Sequence, residues 1–324
     1  MKKTLLLCQD NIGDLVFTSA LTSHLSSHGE KITLVTRIDT EAVAPFIPGI
    51  QSHHSIPLLD KIDPIFHWKK HVAFWQFIKW LKRQNFDIAI TVSKNWRLGL
   101  ALYLAKIPVT IGWDFPKLAP FLTHATPRPS LKKPAIEAIQ SLISHLHYPP
   151  QESPHYSLDL DAVQSKKQLM NITKDTNDQW VGLHAFASLK NRCVDLETWL
   201  KVAREIKATG FTPVWFGTTS ELNTLRDIRG CIGLFSDYLC NGQLDQVIPL
   251  LSYCDAYIGH DSGVLHLASA IGIPNLGIFT PGEPKRTFPQ GIYQGTIIFR
   301  PSPEQLSSTD IMSSFKKHLE PLLN

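Results

Sequence analysis

Four turns in this chain carry the side chains that handle protons and phosphate, and each follows a run of apolar residues. Asp14 stands in QDNIGDLVFTSAL, directly after TLLLCQ, with Gly13 beside it to permit close approach of the backbone. A carboxylate there is either a helix N-cap or a base aimed at a bound hydroxyl. Ser188, Lys190 and Arg192 follow the run WVGLHAF, in which His184 closes the strand. Cations in such a turn could grip phosphate oxygens, or simply form a solvated basic loop. Glu221 lies in FGTTSE, where a carboxylate could accept hydrogen bonds from a ribose or close a capping box. The fourth turn is YIGHDSGVLHLASAIG, containing Asp261, Ser262, Gly263 and His266. Backbone N–H groups of Ser262, Gly263 and Val264 at a helix start make an anion site, through unsatisfied donors and the helix dipole together. His266, one turn further on, reads as a ligand or as a buried core histidine.

Those turns must be held by strands and helices in alternation. TLLLCQ is an unbroken apolar run of the kind that parallel sheets bury on both faces, and Val16, Phe17, Ala20, Leu21 and Leu25 follow at helical spacing up to Gly29. KITLVTR then completes a right-handed βαβ unit. FDIAITVS and PVTIGWD extend the sheet. The Pro-containing segment around Tyr148 to Leu160 interrupts the pattern. WVGLHAF, TPVWFG, AYIGHD and PNLGIFT then alternate with helical segments in a second half. The expectation is an α/β chain of two domains, residues 1–155 and 156–324, with the last helix, DIMSSFKKHLEPLLN, reaching back onto the first. The first turn has neither the Gly-x-Gly-x-x-Gly of a dinucleotide site nor the Gly-Lys-Ser/Thr of a phosphate loop. In open α/β sheets ligands bind outside the carboxyl ends of the strands, which is where all four turns fall.

Composition narrows the class. With 324 residues, 43% hydrophobic and 19% charged, the chain can bury two ordinary cores, and no apolar run reaches the length of a membrane span. MKKTLLLCQDNIGD reads as a buried strand of a cytoplasmic protein, because polar residues arrive too soon for a signal peptide. Five cysteines without a Cys-x-x-Cys pair indicate neither a disulfide framework nor a zinc site. The net charge of +4 hints at an anionic partner. His24/His28 and His67/His71 have i,i+4 spacing but no third ligand, and read as surface histidines. The segment from Trp68 to Arg83 is a helix whose Trp75, Ile78 and Trp80, set among lysines, could rest on a membrane surface or pack on the sheet.

GLHAFASLKNRCVDLETWLKVAREIKATGFTPVWFGTTSE, SYCDAYIGHDSGVLHLASAIGIPNLGIFTPGEPKR and LLLCQDNIGDLVFTSAL together resemble glycosyltransferase family 9, the ADP-heptose:lipopolysaccharide heptosyltransferases. The Asp-Ser-Gly-x-x-His block is the most specific part. The resemblance implies a GT-B architecture, two facing Rossmann-like domains with parallel sheets and a ligand cleft between them, and an inverting glycosyl transfer that needs neither metal nor cofactor. It implies an ADP-heptose donor, a lipopolysaccharide-core acceptor, no nucleic acid, and a cytoplasmic or peripheral position at the inner face of the bacterial inner membrane. By position it makes Asp14 the general base, with Gly13 and Arg97 beside the acceptor. Arg192 falls where the family has a phosphate-binding lysine, with Lys190 and Ser188 nearby. Glu221 would hold the ribose, and Asp261, Ser262, Gly263 and His266 would form the sugar and diphosphate site. Where the family often has Lys-Arg-Trp-Pro, this chain has RCVD, so Val194 and Asp195 replace an aromatic and a proline. Two further readings are a sugar-nucleotide epimerase of the same architecture and a catalytically silent sugar-nucleotide-binding protein.

Overall fold

The computed structural model describes the whole chain except residues 58–67, 129, 131, 150, 228–243, 283 and 324. The chain divides between Tyr156 and Ser157 into two units. The first contains β1 (Lys3–Cys8), α1 (Ile12–Ser27), β2 (Lys31–Arg37), β3 (Ile50–Ile56), α2 (Trp68–Gln84), β4 (Ile88–Thr91), α3 (Trp96–Ala105), β5 (Val109–Trp113), β6 (His124–Thr126) and α4 (Ala135–Ser141). Its sheet has the order β3-β2-β1-β4-β5-β6, with every pair parallel. Leu5, Leu6, Leu7 and Cys8 of the central strand are fully buried, as an apolar run covered by helices on both faces requires.

The second unit contains α5 (Leu160–Gln168), β7 (Trp180–His184), α6 (Leu196–Ala208), β8 (Thr212–Trp215), α7 (Thr219–Arg226), α8 (Leu244–Leu251), β9 (Ala256–His260), α9 (Gly263–Ala270), β10 (Asn275–Phe279), β11 (Thr296–Phe299) and α10 (Ser308–His318). Its sheet, also parallel throughout, has the order β11-β10-β9-β7-β8. Each sheet therefore has a point where the direction of winding reverses. In the first it lies between β1 and β4, in the second between β7 and β9. Such switch points open a crevice at the strands' carboxyl ends.

The apolar faces of α10 and α2 decide where each packs within its own unit. α10 sends Ile311, Met312 and Phe315 into the core of the second unit, where Phe315 meets Phe211 edge-on at 5.8 Å. In α2, Phe74, Phe77, Ile78 and Leu81 recur at helical spacing and pack into the core of the first unit. Trp80 stacks on His54 at 4.3 Å. Of the three residues read as a surface-seeking face, only Trp75 is exposed, at 55%. Ile78 lies on the packing face because the helix period places it there, and Trp80 is half-buried at the edge of that face, against His54, Phe77 and Phe86. His67 lies outside the described residues. The His24 and His28 rings meet tilted, with centroids 4.6 Å apart, and His28 lies against Tyr148 at 4.7 Å. No described helix is long and apolar enough to cross a membrane.

Candidate functional site

The second unit's switch point gathers most of the residues that the sequence singled out. β9 ends at His260, and Asp261 and Ser262 turn the chain into α9. Ser262 occupies the N-cap position in extended conformation, yet its hydroxyl makes no cap bond. It is hydrogen-bonded instead to His184 Nδ1 on the neighbouring strand end, at 3.1 Å. That bond turns the hydroxyl away from the first-turn N–H groups, which a helix start otherwise offers to an anion. Asp261 is the hub of the site. Arg192 Nη1 lies 3.6 Å from its Oδ2, His266 Nε2 lies 3.6 Å from its Oδ1, and Thr287 Oγ1 donates to Oδ2 at 3.2 Å. His266 is buried, so it is at once a core residue and a neighbour of this carboxylate.

The histidines behind the turn are neutral at physiological pH. Burial pushes His184 down to about 4, against a smaller raising effect from Glu221. His260 is pushed down to about 3, first by burial and then by its neighbour His184. Its Nε2 accepts from the Val194 backbone N–H at 3.2 Å and from Trp199 Nε1 at 3.3 Å, which puts the ring proton on Nδ1. Neither His184 nor His260 therefore adds a cation to the floor of the site. Positive charge comes from Arg192, in the one-turn helix Lys190–Arg192. Among the described residues no hydrogen bond or ion pair joins Ser188 or Lys190 to this group, and both are exposed.

The two positions at which the loop departs from the family pattern have local structural work. Val194 is 1% exposed and belongs to the core, and Asp195 caps α6 by accepting from the Thr198 N–H at 2.8 Å. Glu221 closes a capping box on α7. Thr218 N–H and Oγ–H both donate to its Oε2, at 2.7 and 2.9 Å, while its own N–H donates to Thr218 Oγ1. The capping reading of this residue is thus realised, and both bonds fall on one carboxylate oxygen.

In the first unit Asp14 is not the N-cap. α1 begins earlier, with Asn11 at the cap, so Asp14 sits in the first helical turn, half-buried, one residue after Gly13. A carboxylate at that position is favoured by the helix dipole. Asp10 and Ser93 form a group that the sequence did not reveal. Ser93, at the end of the adjacent β4, accepts the Gln9 N–H at 2.8 Å and donates to Asp10 Oδ2. Burial holds the Asp10 carboxyl above its usual range, opposed by the Ser93 hydrogen bond and by Lys94 and Arg37. Cys8 beneath it is pushed up by burial and then by both Asp10 and Asp14, so the two carboxylates share one strand end. Arg97 lies in the first turn of α3, which follows β4. Its guanidinium stacks over Trp96 at 4.7 Å, and Asn95 caps the helix by accepting the Arg97 N–H at 3.1 Å. Among the described residues no group of three or more His, Cys, Asp or Glu is placed to hold a metal ion.

This arrangement has relatives. The family model of glycosyltransferase family 9 (heptosyltransferase) matches residues 74–316. Lipopolysaccharide heptosyltransferase 2 of Escherichia coli strain K12 is 27% identical over 94 residues, a stretch that is 28% of this chain and 27% of that protein. The aligned stretch thus spans little more than a quarter of the relative's length. Among solved structures, E. coli ADP-heptose lipopolysaccharide heptosyltransferase II aligns over 100% of this chain and 99% of its own, with a TM-score of 0.80 at 15% identity. E. coli heptosyltransferase WaaC with ADP aligns over 98% and 99%, with a TM-score of 0.81 at 16% identity. The likeness establishes the fold as that of the GT-B heptosyltransferases.

Proposed function

Since the chain belongs to glycosyltransferase family 9 (heptosyltransferase), we propose that it transfers a heptose from ADP-heptose to the inner core of lipopolysaccharide, inverting the anomeric centre without a metal. The observation that carries this reading is the group at the start of α9. Ser262 leaves its helix uncapped while Arg192 and His266 converge on Asp261. A diphosphate fits such a place, because helix N–H groups and a guanidinium complement its charge.

In the proposed reaction the acceptor hydroxyl loses its proton to Asp14 as its oxygen bonds to the anomeric carbon. The bond from that carbon to the diphosphate breaks, and ADP departs with the electron pair. Arg192 and the N–H groups of Ser262, Gly263 and Val264 stabilise the negative charge that develops on the leaving oxygen. Glu221, with one carboxylate oxygen committed to Thr218, has the other for a ribose hydroxyl. Gly13 gives the acceptor close access to the backbone, and Arg97 supplies a cation for its anionic groups. The exposed Trp75 and Val72 of α2, with Lys79, Lys82 and Arg83 exposed on the same helix, support a peripheral position at the cytoplasmic face of the inner membrane.

Incubation with ADP-heptose, with and without a heptose-deficient lipopolysaccharide acceptor, tests the proposal. Acceptor-dependent release of ADP is the expected result. Turnover without acceptor assigns the site to an epimerase or hydrolase, and binding without turnover assigns it to a silent sugar-nucleotide binder.

A further inference from the structure

The pair at the centre of the donor site is electrically incomplete. Arg192 brings one positive charge, and Asp261, 3.6 Å away, brings one negative charge. The two largely offset each other, whereas a sugar-nucleotide diphosphate carries two negative charges and gains a third as it leaves. A segment following β10 lies against this pair at several points. Thr280 Oγ1 donates to the backbone carbonyl of Arg192, a side chain at Gly282 would come within 3.9 Å of Arg192 Nη2, and Thr287 Oγ1 donates to Asp261. Between the second and third of these contacts, next to Thr287, stands Arg286.

Arg286 has an unusual environment for an arginine. Its Nη1 is buried and has no hydrogen-bond partner. Nη1 carries two N–H donors on a permanent cation, and leaving them unmet out of reach of water is among the costlier things a side chain can do. Buried guanidinium groups are ordinarily paired, and the missing partner must be an acceptor, preferably an anion. Thr287 places the neighbouring backbone at Asp261, which points to the anion of the same site.

We propose that Arg286 is a second cation for the donor diphosphate, completing the charge that the Arg192–Asp261 pair leaves unmatched. The inference rests on the donor-binding reading above. The division of labour follows from the contacts: Arg192 is held by Asp261 and by Thr280, while Arg286 keeps unmet donors for the ligand.

Calorimetric titration of wild type, Arg286→Gln and Arg286→Lys with ADP and with AMP tests this. Wild type is expected to bind ADP, and its failure to do so would remove the donor reading itself, independently of Arg286. Given that binding, Arg286→Gln should weaken ADP about tenfold to a hundredfold, the loss expected for one hydrogen bond between charged groups. AMP should weaken by about twofold or less, and Arg286→Lys should recover part of the ADP affinity. Equal weakening of ADP and AMP, or no weakening of either, overturns the proposal. Thermal unfolding without ligand gives a second test. Removing a guanidinium with unmet donors should leave the melting temperature unchanged or higher. A variant that melts lower, or does not fold, would make Arg286 a structural residue and overturn the assignment.

Discussion

Replacing Ser93 with alanine removes one hydroxyl that does two things at the strand end beneath the Asp14 turn. Ser93 is 2% exposed, accepts the Gln9 N–H at 2.8 Å and donates to the Asp10 carboxylate. Losing the first bond strands a buried N–H, at about 1–3 kcal/mol, and losing the second removes a charge-assisted bond of about 1.5–3 kcal/mol. The two share one oxygen and will not add fully, so a destabilisation of about 3 kcal/mol near neutral pH is expected. The pH dependence carries more information than the size. Burial already raises the Asp10 carboxyl, and the Ser93 bond opposes that rise by favouring the ionised form. Without the hydroxyl the folded-state pKa moves higher still, so the penalty must grow as pH rises through the Asp10 titration and shrink below it. Urea unfolding of wild type and variant across pH 4 to 8 reads this directly, with Ser93→Thr retaining most of the stability. A penalty that is flat with pH, or absent, would refute the bond between Ser93 and the ionised Asp10.

Asp10→Asn should stabilise the protein at neutral pH and have little effect at low pH, because a carboxyl raised in the folded state costs stability only once it ionises; chemical denaturation at the two pH values checks the sign. Glu221→Ala should cost about 1 kcal/mol through loss of the capping box, whereas Glu221→Gln should keep the helix and still bind ADP several-fold more weakly, as read by unfolding and titration in parallel. Gly259→Ala would bring its Cβ within 2.3 Å of Tyr257 Oη, a fully buried ring, so a loss of about 1–3 kcal/mol in urea unfolding is expected.

What could be read in the sequence was set by how strongly each segment's own residues dictate its environment. β1, β4, β7, β9 and β10 are near-continuous apolar runs, and each is buried along its length apart from Lys3 at the start of β1, so both their existence and the turns that follow them are legible. β3 (IQSHHSI) is a polar edge strand, and β6 and β11 have 3 and 4 residues, too few for a periodic signal. The Asp10–Ser93 contact spans 83 residues and exists only because β1 and β4 are neighbours in the sheet, an order that no local pattern specifies. For Asp14 the cap reading failed because Ile12 and Gly13 are already helical, which moves the cap back to Asn11. At Glu221 the cap reading was right, since Thr-x-x-Glu is a strictly local device. Of Trp75, Ile78 and Trp80, only Ile78 falls at 100° per residue on the face that Phe74, Phe77 and Leu81 bury; Trp80 is half-covered by His54 and Phe86, partners that the helix's own period does not specify.

The central claim is that Asp14 takes the proton of the acceptor hydroxyl. Single-turnover transfer from saturating ADP-heptose by Asp14→Asn, compared with wild type, addresses it most directly. A positioned base is worth about a hundred- to ten-thousandfold, or about 3–5 kcal/mol of barrier, so the account predicts a fall of that size with ADP affinity unchanged. Transfer by the asparagine variant at the wild-type rate would contradict it.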